Sequence, residues 1–300
     1  MTTVSDADLS PLQQLGSAFA AMLRPGAVLG KLSGVVSVPF NVKIPRAISG
    51  TRGSWVGEFK PTPVSSMIFD SLELTQSKLA SIVVISNELS KSSSPDATRI
   101  IQSDMQGSIV AALDYGLLDP AASEIPNVSP ASLTFAATKI ASSGNDSISI
   151  DIDLAEAVAA LVDNKILLNQ PFWVMSPSTA LFLSMLRENG VRSYPNISLS
   201  GNSNLLGIPT IISSAAQNNI ILIESSQVVC ADSGILLDVS GNASLQMESA
   251  PDDPPIDSSV MVSLFQRNYS GLRAVHWVRW AARRTQAVSL TTNFGGGSGS

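Results

Sequence analysis

Between Gly34 and Pro63 the chain writes two extended runs that a core sheet could not absorb. The first, VVSVPFNVKIP, places Val36, Val38, Phe40, Val42 and Ile44 in alternation with Ser37, Pro39, Asn41, Lys43 and Pro45, the period of two that marks a strand with one apolar face. Proline donates no ladder hydrogen bond, so two of them confine such a strand to an edge or a free ribbon. The polar, glycine-bearing stretch RAISGTRGS follows, and the chain then reads SWVGEFKPTP. The simplest geometry is a long hairpin, with SWVGEFKPTP as its returning half. An isolated two-stranded hairpin is marginal in water, so its apolar face needs cover from elsewhere, and a neighbouring subunit would supply it.

Charge and cysteine usage narrow the function classes. Charged residues make up 14% of the 300 and apolar residues 44%, against a usual charged share near 25%. A surface covered by other subunits and a surface rich in Ser, Thr and Asn account for this equally well. From Ser258 onward there is no acid, while Arg267, Arg273, Arg279, Arg283 and Arg284 add five positive charges, so residues 1 to 257 hold −11 of a net −6. That balance is poor for gripping phosphates. The arginine run alternates with tryptophans, a pattern that binds nucleic acid less often than it forms a solvated strand face or subunit ion pairs. A single cysteine, Cys230, excludes an internal disulfide framework and a multi-cysteine metal site. No run of 18 apolar residues predicts a membrane span, and the N-terminus lacks the pattern of a signal peptide.

The pattern elsewhere alternates strands and helices. Residues 7 to 23 read as a short amphipathic helix ended by Pro25-Gly26, and LASIVVIS (79–86) as a buried strand. A long helix is predicted from Pro95 to Leu118, with an apolar stripe at Ala97, Ile101, Met105, Ile109, Leu113 and Leu117 widened by Ile100, Val110 and Ala112; its length is about 36 Å. After a Ser/Pro/Asn-rich connector (119–131), Asp153 and Glu156 suggest a capping-box start for LAEAVAALVDNK. Phe172 to Met175 is a strand, Ser176-Pro177 caps a helix that Asn189-Gly190 ends, and Leu205 to Ser213 and IILIES return as strands. GILLDVSGNASLQME reads as a hairpin about Ser240-Gly241-Asn242, and VSLFQRNYSGLRAVHWVRW and AVSLTT as closing strands.

Catalytic chemistry finds little support. The single histidine, His276, lies in RAVHWVRW between valine and tryptophan, a place for a packed imidazole rather than a base. Cys230, in QVVCAD, reads as an inert core thiol. Asp151 and Asp153 form a DxD that no further acid cluster supports, and helix capping accounts for Asp153, so no metal site is expected. Neither GxGxxG nor GxxxxGK[ST] occurs. No catalytic residue, metal or cofactor is therefore expected.

The order of the segments resembles a known family. GSWVGEFKPTPVSS is followed by SLELTQSKLASIVVISNELSKSS and a helix ending in ALDYGLLDP, then WVMSPSTALFLSMLREN, LLGIPTIIS and VSLFQRNYSGLRAVHWVRW. Over residues 30 to 293 this is similar to the major capsid proteins of tailed bacteriophages, with the Hong Kong 97-like fold. The resemblance implies an α+β fold: an N-terminal arm (1–34), an extended β-hairpin loop (35–78), a peripheral domain with a long spine helix (79–124), an axial α/β domain (125–225), return strands of both domains (226–293) and a flexible tail (294–300). It implies a structural protein, not an enzyme, that builds an icosahedral shell around the phage genome, in the virion after assembly in the host cytoplasm. The implied partners are copies of the chain in hexamers and pentamers, portal, scaffolding and decoration proteins, and packaged double-stranded DNA held non-specifically; no membrane is involved.

On that resemblance SWVGEFKPTP lies across a neighbouring subunit. Phe40, Trp55 and Phe59 would supply contact area, and Arg52, Glu58 and Lys60 polar register. Two departures stand out. About thirty residues precede the loop where many members carry a long scaffolding segment, so scaffolding is a separate protein or the chain is a processed form. Lys60 matches the crosslinking lysine of some members, but the C-terminal strands carry no activating glutamate and Asn268 does not align as acceptor, so crosslinking is not expected. The rival readings are an encapsulin-like shell enclosing cargo protein, and a soluble carbohydrate- or nucleic-acid-binding module.

Overall fold

The computed structural model describes residues 26–49, 53–64, 68–88, 95–188, 190–199 and 203–294. The expected arm helix 7–23 and residues 295–300 of the tail expected over 294–300 lie outside them; Phe294, the first residue of that stretch, is instead buried in the core with Phe182 beside it. The chain folds into two compact units. One comprises Lys78–Leu113 and Ser233–Trp277 with the N-terminal residues through Ala27, the other Val28–Ser77, Asp114–Asp232 and Val278–Ser300.

In chain order, the four-residue helix α1 (Val28–Lys31) precedes strands β1 (Val36–Ser37), β2 (Lys43–Ser49), β3 (Ile68–Glu73) and β4 (Lys78–Ser86). The alternating run therefore splits. Asn41 takes a left-handed φ of 60°, which ends extension between β1 and β2. Helix α2 (Pro95–Leu118) is the longest element, with the bounds its sequence predicts. Met105, Ile109, Leu113 and Leu117 are buried, whereas Ile100 and Ala112 face solvent. Ile101 and Val110 are half-buried, and Asp114 and Leu118 join the buried face near the C-terminal end, so the stripe widens there rather than at Ile100 or Ala112.

In the first unit, β4 pairs antiparallel with β15 (Tyr269–Ala282) from Lys78↔Trp277 to Ser86↔Tyr269. LASIVVIS is a strand, but not a buried one: its residues are half-buried or exposed. The hairpin expected about Ser240-Gly241-Asn242 does not form. β12 (Val228–Ser240) ends there, and β13 (Ser244–Gln246) pairs instead with β14 (Met261–Ser263), Leu245 opposite Val262. Pairing follows whichever strand covers the apolar positions, and Leu264, fully buried, closes over Gly271, where a Cβ would stand 3.2 Å from its Cδ1.

The second unit is built on a six-stranded mixed sheet. β5 (Thr138–Ala141) precedes helix α3 (Ser147–Asp163), and β6 (Pro171–Met175) leads into helix α4 (Pro177–Met185). The ribbon β7 (Arg187–Glu188) and β8 (Val191–Arg192) follows, then β9 (Ser203–Leu205), β10 (Ile208–Ile212), β11 (Ile220–Glu224) and finally β16 (Val288–Thr292). The order is β5-β16-β11-β6-β10-β9, with β10 parallel to β6 across α4, the strand–helix–strand unit expected from sequence. Ile150, Leu154, Ala157 and Leu161 of α3 pack with Trp173, Met175, Leu183 and Ile220. Fully burying such side chains contributes about 1.5–3 kcal/mol each.

Three boundaries in this unit differ from expectation. α3 starts at Ser147, capped by Asp146 through the Ser149 N–H at 3.2 Å. Asp153 is a buried mid-helix acid instead: its oxygens accept from the Ser142 and Ser143 hydroxyls at 3.0 and 2.6 Å and from the Ser143 N–H. α4, capped by Ser176 as expected, stops at Met185 because β7 and β8 claim the residues around Gly190. The run 205–213 is a hairpin rather than one strand, turned at Leu206 and Gly207, both with positive φ.

Candidate interaction surface at the hairpin tip

β2 and β3 form a separate two-stranded ribbon, in register from Lys43↔Glu73 to Ser49↔Ile68 with a bulge between Ala47 and Ser49. Its base is anchored: Phe40, Ile44 and Leu72 pack with buried Leu74, Val229 and Ala231. Above the base, opposite residues Arg46 and Asp70 pair, the guanidinium reaching one carboxylate oxygen at 3.0 and 2.5 Å. Arg46, with help from the Ser71 N–H, holds the Asp70 carboxyl below the usual value.

SWVGEFKPTP is therefore not the returning strand, which is Ile68–Glu73; residues 53–64 lie in the loop between the two strands. The local chemistry requires this. Gly57 and Lys60 close a turn (Lys60 N–H to Gly57 O, 3.1 Å), Phe59 sits at φ 60°, and Pro61 and Pro63 have no N–H to give a ladder. Conversely RAIS, expected at the tip, belongs to the outgoing strand.

The loop leaves its large side chains bare. Relative exposure is 105% for Trp55, 97% for Phe59 and 98% for Val64, with Glu58 and Lys60 exposed beside them. Arg52 lies outside the described residues. Phe40 is separated from this group, half-buried in the anchoring cluster of its own chain. Isolated exposed apolar residues are ordinary, but three within ten residues of one loop make it a candidate interaction surface.

The other candidates are dispersed. His276 is buried on β15 opposite Leu79, and Cys230 is buried on β12 beside Ser37. Asp151 accepts the Tyr194 hydroxyl at 2.6 Å, and burial together with that carboxylate raises the phenol's pKa; Asp151 and Asp153 thus serve different partners. Among the described residues no three His, Cys, Asp or Glu could hold a metal ion, and no helix is long and apolar enough to cross a membrane. Arg273 pairs with Asp238 at 2.6 Å, buried Arg279 with Glu124 and, at 3.1 Å, Ser77 Oγ, and Arg284 donates to the Asn164 carbonyl at 2.7 Å. Those three arginines serve the chain's own packing.

This mixed α+β architecture, with several sheets and few helices, matches solved phage capsid structures. It is similar to a solved chain of Gordonia phage Cozz (TM-score 0.68, 15% identity, 90% of this chain and 87% of that one). It is similar also to one of Mycobacterium phage Adephagia (TM-score 0.64, 17% identity, 97% and 98%). A third likeness is to a chain in the capsid of a native GTA particle (TM-score 0.61, 14% identity, 90% and 91%). The sequence carries the identification further: residues 13–292 match the model of the phage capsid family, and the chain belongs to that family. A curated relative, the capsid polyprotein of Pseudomonas phage PAJU2, is 35% identical over 292 residues, 93% of this chain. The chain spans 44% of that relative's length.

Proposed function

We propose that the protein is a major capsid protein, a non-catalytic subunit that assembles with copies of itself into an icosahedral shell enclosing a phage genome. The observation that carries this reading is the family match over residues 13–292. The bare aromatic tip supports it, because a subunit destined for a shell leaves exposed what its neighbour will cover. On this reading β2, β3 and their loop are the extended loop within 35–78, and Trp55, Phe59, Glu58 and Lys60 meet another copy. The helix α2 is the spine of a peripheral domain (79–124), and residues 125–225 form the axial domain of a Hong Kong 97-like subunit. Double-stranded DNA, portal and scaffolding proteins are the further partners, and the virion is the site of action.

Electron microscopy of the purified chain tests this directly. Closed isometric particles are expected. A monodisperse monomer at all concentrations, under conditions where the chain is folded, would sink the shell reading. Particles loaded with one specific protein when purified from cells would replace it with a cargo-enclosing compartment.

A further inference from the structure

The outer face of α3 carries an apolar seam that its own chain leaves open. Ile148, Ile152, Ala155, Ala159 and Val162 are all exposed, and their spacing of 4, 3, 4 and 3 is that of a helix that packs against another element. The inner face is already used: Ile150, Leu154, Ala157 and Leu161 are buried in the core of the same unit. An amphipathic surface helix spends one stripe on the core and turns polar residues outward; α3 has two apolar stripes.

Charge selects the occupant. From Ser147 to Asp163 the helix contains four acids and no lysine or arginine; the first cation is Lys165, beyond its end. Asp153 is buried and Asp151 is engaged by Tyr194. That leaves Glu156 and Asp163, both exposed, four residues on from Ile152 and Ala159 and so alongside the seam. Two α3 helices packed on each other would set acid against acid.

The complementary surface is present on the same unit. Met185 at the end of α4 and Val191 in the β7–β8 ribbon are 68% and 71% exposed, and Leu181 one turn before Met185 is exposed too. Arg187 and Arg192, cross-strand partners in that ribbon, are both exposed and outweigh its one acid, Glu188, whose carboxylate accepts from Ser147. Ribbon and helix are tied at one end, Ser147 donating to Glu188 at 2.8 Å and Tyr194 to Asp151 at 2.6 Å. The two patches are therefore held at a fixed angle.

We infer that the acidic seam of α3 in one copy docks on the basic Leu181–Met185–Val191 patch of the next copy. The contact is heterologous: each copy offers one patch and receives on the other. A heterologous contact repeats into a closed ring where its rotation per copy closes, and into an open filament where it does not. The inference rests on the shell reading and specifies how neighbouring copies join at a surface distinct from the hairpin tip.

Charge reversal tests it. Glu156→Arg with Asp163→Arg, and separately Arg187→Glu with Arg192→Glu, are each expected to lower particle yield at least tenfold while the subunit's unfolding midpoint stays put, since all four residues are exposed. All four changes in one chain are expected to restore at least half the yield. Normal yield from either pair, or no rescue in the fourfold variant, overturns the inference while wild-type particles keep the shell reading intact. Should the wild-type form no particles, the shell reading fails, and a second measurement still reads the contact. Ala159→Cys and Met185→Cys chains, mixed at high concentration with a short bismaleimide, are expected to give mixed dimers in excess of like pairs. Like pairs through Ala159→Cys alone overturn the inference.

Discussion

The backbone N–H of Val28 donates to the carboxylate of Asp114 at 2.8 Å, joining residues 86 apart in sequence. The other oxygen of Asp114 accepts the Ser213 hydroxyl at 2.8 Å. One buried side chain on α2 thus fastens the start of α1 and the loop after β10. Burial raises the Asp114 pKa above the ordinary 3.8, opposed by these two donors and by the charge of Lys31.

The first prediction concerns that carboxylate. Asp114→Ala leaves a buried N–H and a hydroxyl without their acceptor, so a loss of about 1–3 kcal/mol is expected in urea titrations. Asp114→Asn keeps an acceptor for Val28 and should cost much less. The pH dependence follows from the raised pKa. Between 3.8 and the folded value the native state holds a proton that the unfolded state has released. This group's contribution is full below 3.8 and lost as pH climbs through the folded value. Asp114→Asn should flatten that part of the stability–pH curve; an unchanged slope would mean another group governs it.

Trp55→Ala should damage assembly far more than folding. Its side chain is fully exposed, so no intrachain packing is lost, whereas burying it against another copy is worth on the order of 1.5–3 kcal/mol at each subunit. Thermal unfolding of the dissociated subunit and particle yield by sedimentation make the pair of measurements. A mutant subunit that unfolds easily yet assembles normally would refute the interface.

Arg279 and Glu124 should prove unequal. The guanidinium is buried and the carboxylate half exposed, so removing the acid leaves an uncompensated buried cation. Glu124→Ala is expected to cost about 1–3 kcal/mol, between the small value of an exposed pair and the range for breaking a fully buried one. Arg279→Met, which fills the space without a charge, should cost less. The reverse ranking in denaturant melts would show that solvent reaches the guanidinium.

Assembled particles should run on denaturing gels as single chains near 31.4 kDa. Lys60 is exposed, but the Asn268 side-chain carbonyl accepts from Asn87 at 2.9 Å, and no acid follows Asp257 in the chain. An isopeptide bond needs a positioned carboxylate to move the proton. A ladder of covalent oligomers that disappears in Lys60→Ala would contradict this.

What could be read from the sequence were the elements whose signals are local. The bounds of α2, the Ser176 cap of α4 and the strands about Trp173 and Ile220 follow from periodicity and capping chemistry within a few residues. The order of motifs named the family because order survives where spacing alone is ambiguous. Tertiary structure decided what depends on distant partners. Asp153 looked like a cap, but Ser142 and Ser143 draw it into the interior, and Asp146 caps α3 instead. SWVGEFKPTP alternates enough to pass for a strand; pairing went to Ile68–Glu73, since Phe59 at positive φ and two prolines cannot supply a ladder. Leu245 found its partner on β14 rather than β12. The second apolar stripe of α3 was written in the sequence as plainly as the first. Only the fold, by burying Ile150 and Leu154 and leaving Ile148 and Ile152 in water, determined which stripe the chain keeps and which it offers to another copy.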